Sequence, residues 1–147
     1  MVDKIIELDY EAKNRNDVLN HLAKKLVTIG AVKDTYPEAI VAREKNFPTG
    51  LNTESIGVAM PHTDANYVLH EHIAILRLKN PVTFLQMGDG EPVRVKLIFM
   101  LALMKPHEQL KVLQKLVTFI QDTTKVTQLL QLKDIDDVLT IINKSGL

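Results

Sequence analysis

"VRVKLIFMLALMKPHEQLKVLQKLVTFIQD", residues 93–122, changes its pattern twice. From Val93 to Lys96 apolar and charged residues alternate, as on a strand with one wet face. From Leu97 to Leu103 every residue is apolar, as expected of a central strand covered on both sides. After Pro106, which suits a first helical turn, Leu110, Leu113, Leu116, Val117 and Ile120 recur at helical spacing. A strand apolar on both faces, followed at once by an amphipathic helix, predicts an α/β domain: a mixed sheet flanked by helices on both faces.

The rest of the chain is consistent with that frame. "DKIIELDY" (3–10) predicts an opening strand. "RNDVLNHLAKKLVTIGAV" (15–32) predicts a helix with Val18, Leu19, Leu22, Leu26, Val27 and Ile29 at helical spacing, capped by Asn16 or Asp17 and ended by Gly30. A shorter helix is expected from Pro37 to Glu44, with Arg43 at its C-terminal end. "NFPTGLNTES" (46–55) reads as loop, "IGVAM" (56–60) as a short buried strand, "HIAILRLK" (72–79) as a strand and "MGDGEP" (87–92) as a turn. Two helices close the chain, "TKVTQLLQL" (124–132) and "DIDDVLTIINK" (134–144). With 147 residues, 46% of them hydrophobic, the chain suffices for one sizeable core and is short for two, so a single domain over residues 1–147 is expected.

Charge and composition remove several function classes. The 18 basic and 18 acidic side chains cancel, so no net positive field gathers nucleic acid or anionic lipid. Cysteine is absent, which excludes disulfides, thiolate metal sites and cysteine nucleophiles together. The N-terminal stretch has no signal-like apolar core, and the longest apolar run, Leu97 to Met104, is far below membrane-spanning length. A cytoplasmic protein is expected. No glycine-rich nucleotide loop of the P-loop or dinucleotide-binding kind is present.

Of the five histidines, His21 lies beside the apolar stripe of the first helix and reads as structural. His70 and His72 flank a strand start and would share a face, as at an exposed strand entrance or in half of a metal site. His62 and His107 share another pattern: each follows a proline, each follows an apolar strand, and each precedes a new element. His62 stands at the carboxyl end of a buried strand, where open sheets place ligands; His107 stands in the first turn of a long helix, where unpaired N–H groups favour an anion. Pro-His also serves simply to end a strand. The chemistry open to two imidazoles and an arginine is phosphoryl transfer. A neutral imidazole is a nucleophile near pH 7, and the charge on a phosphoryl in flight calls for donors such as a guanidinium, a second imidazole and backbone amides.

These residues resemble a known family. "RE" at Arg43-Glu44, a threonine-containing loop, "ESIGVAMPH" (54–62) and "MLALMKPHEQLKVLQKL" (100–116) are similar to the enzyme IIA component of the bacterial sugar phosphotransferase system, in its fructose and mannitol class. The resemblance runs over nearly the whole chain. It implies that His62 is the phosphorylated histidine, that His107 is the second active-site histidine, and that Arg43 stabilises phosphoryl charge. It also implies two protein partners: the phosphocarrier HPr as donor, and a IIB component whose cysteine is the acceptor and which links to a membrane IIC. No cofactor and no metal are called for. Many members place glycine after the Pro-His, whereas this chain has Thr63-Asp64 and carries "FPTGL" (47–51); both features look more like the galactitol branch. Asp64 sets a carboxylate near a dianion, so it is expected to orient an imidazole or to turn outward. A shallow site rimmed by Met60, Phe47 and Leu51 is expected, reachable by proteins, and the end "INKSGL" suggests a free-standing subunit. Two other readings stand beside this one: a regulatory phosphoacceptor of the same fold, and a metal-dependent hydrolase using His62, Asp64, His70 and His72.

Overall fold

The structure is a computed structural model describing residues 2–147, and among these are five strands and five α-helices. In chain order they are β1 (Asp3–Tyr10), α1 (Arg15–Thr28), α2 (Tyr36–Asn46), β2 (Gly50–Asn52), β3 (Gly57–Ala59), β4 (His72–Leu85), β5 (Pro92–Ala102), α3 (Pro106–Gln121), α4 (Thr123–Gln131) and α5 (Ile135–Lys144). The strands form one mixed sheet in the order β1-β4-β5-β3-β2. β1 runs parallel to β4 and β3 parallel to β5, while the β4–β5 and β2–β3 pairs are antiparallel.

β5 lies in the middle because both of its faces are apolar. Val93, Val95, Ile98, Met100 and Ala102 face the core under α1 and α2; Leu97, Phe99 and Leu101 face the core under α3, α4 and α5. Val95 and Leu97 are two residues apart yet lie on opposite faces. The pairing registers of β5 with β3 and with β4 both break here, as a bulge requires. In the second core Phe99 and Phe119 meet edge to face with ring centroids 6.4 Å apart, and truncating such a buried ring costs about 3–5 kcal/mol.

Local details depart from the sequence expectation in three places. The cap of α1 is Asn14, whose side chain accepts the Asp17 N–H, and not Asn16 or Asp17. The segment read wholly as loop contains β2, an edge strand of three residues whose pairing with β3 supplies what local propensity does not. β4 continues well past Lys79 because Val82 and Phe84 find core positions after the register break. Gly50 and Gly57 allow the β2–β3 edge to close on the sheet: a Cβ at Gly50 would lie 2.6 Å from the Leu85 carbonyl oxygen, and one at Gly57 would collide with the Arg94 carbonyl.

At the opposite edge β1 is fastened by charge. Arg77 on β4 is only 4% exposed; its Nε and Nη2 each donate to the Asp9 carboxylate at 3.0 Å, and Nη1 donates to the carbonyls of Leu129 and Leu132 at the end of α4. Asp9 has φ 59, a left-handed conformation that aspartate tolerates, at the break in the β1–β4 register. His21 of α1 meets Glu7 of β1 at 2.8 Å and stacks on Tyr10 at 3.8 Å between centroids. Among the described residues no helix is long and apolar enough to cross a membrane.

Candidate functional site

β3 ends at Ala59, yet the chain follows the edge of β5 for three residues more. The Leu101 N–H donates to the Pro61 carbonyl at 2.9 Å, and His62 stands beside Leu101 in parallel register. α2 is tied to the same point, because the buried Tyr36 hydroxyl donates to the Leu101 carbonyl at 3.2 Å. The half-buried His62 ring folds back on its own strand, with Nδ1 2.9 Å from the Met60 carbonyl oxygen. A carbonyl only accepts, so Nδ1 carries a proton, and in the neutral ring the lone pair is then on Nε2. That tautomer is the one a nucleophile at Nε2 requires.

His62 opens into a cleft of about 270 Å³, lined also by Arg43, Thr63, Asp64, Pro106, Gln109, Leu110 and Leu113. Arg43 reaches it from the last turn of α2, which ends where the Phe47 N–H donates to the Arg43 carbonyl at 2.8 Å. Its guanidinium lies over the Phe47 ring, 4.2 Å from the centroid, and makes no ion pair among the described residues. The fixed cation therefore remains uncommitted to any carboxylate. Phe47 is 59% exposed and Leu110 is also exposed, so the rim presents apolar surface. Met60, expected on that rim, is buried in the core under α3 to α5, and Leu51 is half-buried against the same core.

α3 supplies the facing wall. Pro106 occupies its first turn, and the capping residue Lys105 has no side-chain acceptor bonded to the helix amides, so the first N–H groups stay available to an anion. Glu71 accepts the Met104 N–H at 2.9 Å and steadies the turn before this helix. Pro106, Gln109, Leu110 and Leu113 follow at intervals that keep one helical face toward the cleft. His107 is one residue round from Pro106, about 100° of turn, exposed and outside this lining. Gln109, a half-buried amide with two donors, was not singled out from sequence; its place at the third position after Pro106 is the signal that finds it.

Size alone points elsewhere. A larger hollow, about 760 Å³ between α1 and α2, is lined by residues such as Lys24, Asp34 and Pro37 and contains no imidazole. The His62 cleft is smaller, but it brings together an imidazole, a guanidinium and a helix N-terminus. The metal reading fares differently: among the described residues no group of three or more His, Cys, Asp or Glu side chains is placed to hold a metal ion. His72 turns its Nδ1 to the His70 carbonyl at 3.1 Å, and neither histidine lines the His62 cleft.

A family model described as the phosphoenolpyruvate-dependent sugar phosphotransferase system, EIIA 2, matches residues 2–145. The chain belongs to this EIIA family. The galactitol-specific EIIA component of Escherichia coli (strain K12) is 36% identical over 121 residues, covering 82% of this chain and 81% of that one. The crystal structure of the nitrogen regulatory protein IIA-Ntr from Neisseria meningitidis superimposes with a TM-score of 0.78 at 29% identity, covering 92% of this chain and 91% of that one. The complex of enzyme IIA and phosphorylated enzyme IIB for mannitol from Escherichia coli has the same fold, with a TM-score of 0.78 at 24% identity over 95% and 94% of the two chains. As an EIIA component, the chain is a phosphoryl carrier of a sugar phosphotransferase system.

Proposed function

We propose that His62 accepts a phosphoryl group at Nε2 from phospho-HPr and delivers it to a cysteine of a IIB component, in a system for galactitol or a related carbohydrate. The hydrogen bond from Nδ1 to the Met60 carbonyl carries this reading, because it presents Nε2 to the cleft that Arg43 lines. In the forward step the Nε2 lone pair forms a bond to phosphorus as the phosphorus–nitrogen bond of the donor histidine breaks. The Nδ1 proton stays in place, so His62 becomes a phosphoimidazolium whose ring charge the Met60 carbonyl stabilises. Arg43 and the first amides of α3 meet the equatorial oxygens, and His107 adds a donor from the rim when a partner docks. Cysteine attack then releases the imidazole unchanged.

The exposed Phe47 and Leu110 suit a site that proteins must cover, and closing it over the phosphoryl excludes the water that would hydrolyse it. The galactitol reading rests on the 36% identity to a galactitol-specific EIIA component. The likeness to a nitrogen regulatory IIA supports a second reading, a phosphoacceptor that switches a partner. Incubation with phosphoenolpyruvate, enzyme I and HPr, followed by intact mass measurement, tests the carrier step. One acid-labile phosphoryl on the wild type and none on His62→Ala is expected; a phosphorylated His62→Ala protein overturns the site. Transfer onward to a galactitol IIB, and not to a mannitol IIB, is the expected sign of the sugar branch.

A further inference from the structure

We propose that Glu44 is a positioning residue for phosphoryl acceptance: through Thr49 and Met60 it holds His62 in the Nδ1–H tautomer with Nε2 presented to the cleft. The inference rests on the reading of His62 as acceptor and concerns what sets its ring. Glu44 follows Arg43 on α2, about 100° round the helix, and is 1% exposed. Its two carboxylate oxygens are both taken by one residue: Oε2 accepts the Thr49 N–H at 2.7 Å and Oε1 accepts the Thr49 hydroxyl at 2.7 Å. This double bond to a single buried residue fixes the plane of the backbone at Thr49, itself 3% exposed. The Thr49 carbonyl in turn accepts the Met60 N–H at 3.3 Å, one step beyond the β2–β3 ladder that ends at Gly50 and Ala59. The Met60 carbonyl accepts Nδ1–H of His62 at 2.9 Å.

A chain of hydrogen bonds through Thr49 and Met60 thus leads from a buried carboxyl to the imidazole, and its start lies beside the arginine of the same cleft. Glu44 also closes the turn from α2 to β2 that carries Phe47, the ring on which Arg43 rests. A core carboxyl with no ion pair among the described residues is an expensive way to close a loop. Burial pushes the Glu44 carboxyl up, against the hydrogen bonds from Thr49 and the charge of Arg15. An apolar residue of similar size would fill the space at lower cost but would leave Thr49 unanchored. The arrangement resembles the outer groups that orient a ligating or catalytic histidine in other sites, where the group one step removed sets the tautomer.

The test reads the ring and the rate separately. Nitrogen-15 NMR of the unphosphorylated full chain reports the His62 tautomer, and rapid-quench transfer from phospho-HPr reports acceptance. Glu44→Ala is expected to move His62 toward a tautomer mixture and to slow acceptance about tenfold, the scale of a small misplacement of a reacting group. Thr49→Val, which keeps the backbone bond, is expected to slow it about threefold with the same direction of tautomer shift. Thr49→Ser and Glu44→Gln, which can still bond at these positions, should recover most of the loss. Wild-type ring signals in folded Glu44→Ala overturn the proposal, as does a rate lost only in proportion to stability. If Glu44→Ala does not fold, unchanged ring signals and rate in Thr49→Val overturn it equally. Absence of phosphorylation in the wild type would instead defeat the acceptor reading, while the tautomer comparison would still stand.

Discussion

The chain contains two arginine–histidine regions built from the same residue types with opposite settlements. At the β1 edge Arg77 is 4% exposed and its donors are occupied by Asp9, Leu129 and Leu132, while His21 is held by Glu7 and stacked on Tyr10. At the β3 end Arg43 lies over an aromatic face and makes no ion pair among the described residues, and the His62 ring bonds through Nδ1 while Nε2 has no hydrogen-bond partner among those residues. The first pair is bound to the carboxylates of Asp9 and Glu7, which leaves its charge compensated within the fold. The second is held in place by the fold and satisfied only when something arrives. Residue type says little about function here; uncommitted donors and lone pairs say much more.

Exchanging roles between the two regions is the sharpest way to break that contrast. His62→Ala should lose phosphoryl acceptance altogether, whereas His21→Ala should keep it and lose about 0.5–1.5 kcal/mol of stability, read by intact mass and urea denaturation. Arg43→Ala should slow transfer by about 10²–10³ with a melting curve close to wild type. Arg77→Met should do the reverse, losing about 1–3 kcal/mol of stability as buried carbonyls lose their donor, with the transfer rate intact. Equal rate losses in the two arginine variants would erase the distinction. On α3, His107→Ala is expected to slow transfer about tenfold, the scale of one hydrogen bond to a charged group, and an unchanged rate there with a slowed Gln109→Ala would move the donor role to the amide that lines the cleft.

The smallest effect concerns pH and has opposite signs in the two regions. Burial pushes the Glu7 carboxyl up, but hydrogen bonds from Lys25 and His21 and their charges outweigh it and hold it below the usual range. Its stabilisation is therefore complete above about pH 4.3 and is lost as pH falls through the lower folded value. Burial holds Glu44 above the usual range, so its ionisation opposes folding, and stability recovers as pH falls toward about 4.3. Denaturant titrations over this range should show Glu7→Gln flattening the acid loss and Glu44→Gln removing the opposing gain.

Most of the architecture was legible because its signals are local and redundant. The all-apolar run of β5 and the helical stripe of α3 each specify an element without knowledge of its neighbours, and their succession implies two covered faces. What escaped depended on partners distant in sequence. β2 is three residues with no strand pattern, stabilised by β3 and by the close approach that Gly50 permits. Met60 looked like rim because it precedes Pro-His, but strand alternation turns it inward. Of the residues around the cleft, His62 and Arg43 were singled out from chemistry and from resemblance. Gln109 and Glu44 were not, because one gains its place from helix phase and the other from a hydrogen-bonded path that no spacing rule describes.

The Asp9–Arg77 pair joins residues 68 apart in the chain. On a ribosome adding about 5–20 residues per second, roughly 3 to 14 s separate the synthesis of the two partners. Throughout that interval β1 has no β4 to lie against, so Ile5, Ile6 and Leu8 emerge from the exit tunnel as an unpaired apolar strand. α1 and α2 can form early, but the sheet they cover does not yet exist. A translational pause before β4 has cleared the ribosome prolongs this exposure of the nascent chain, and a pause after β4 has docked leaves it unaffected.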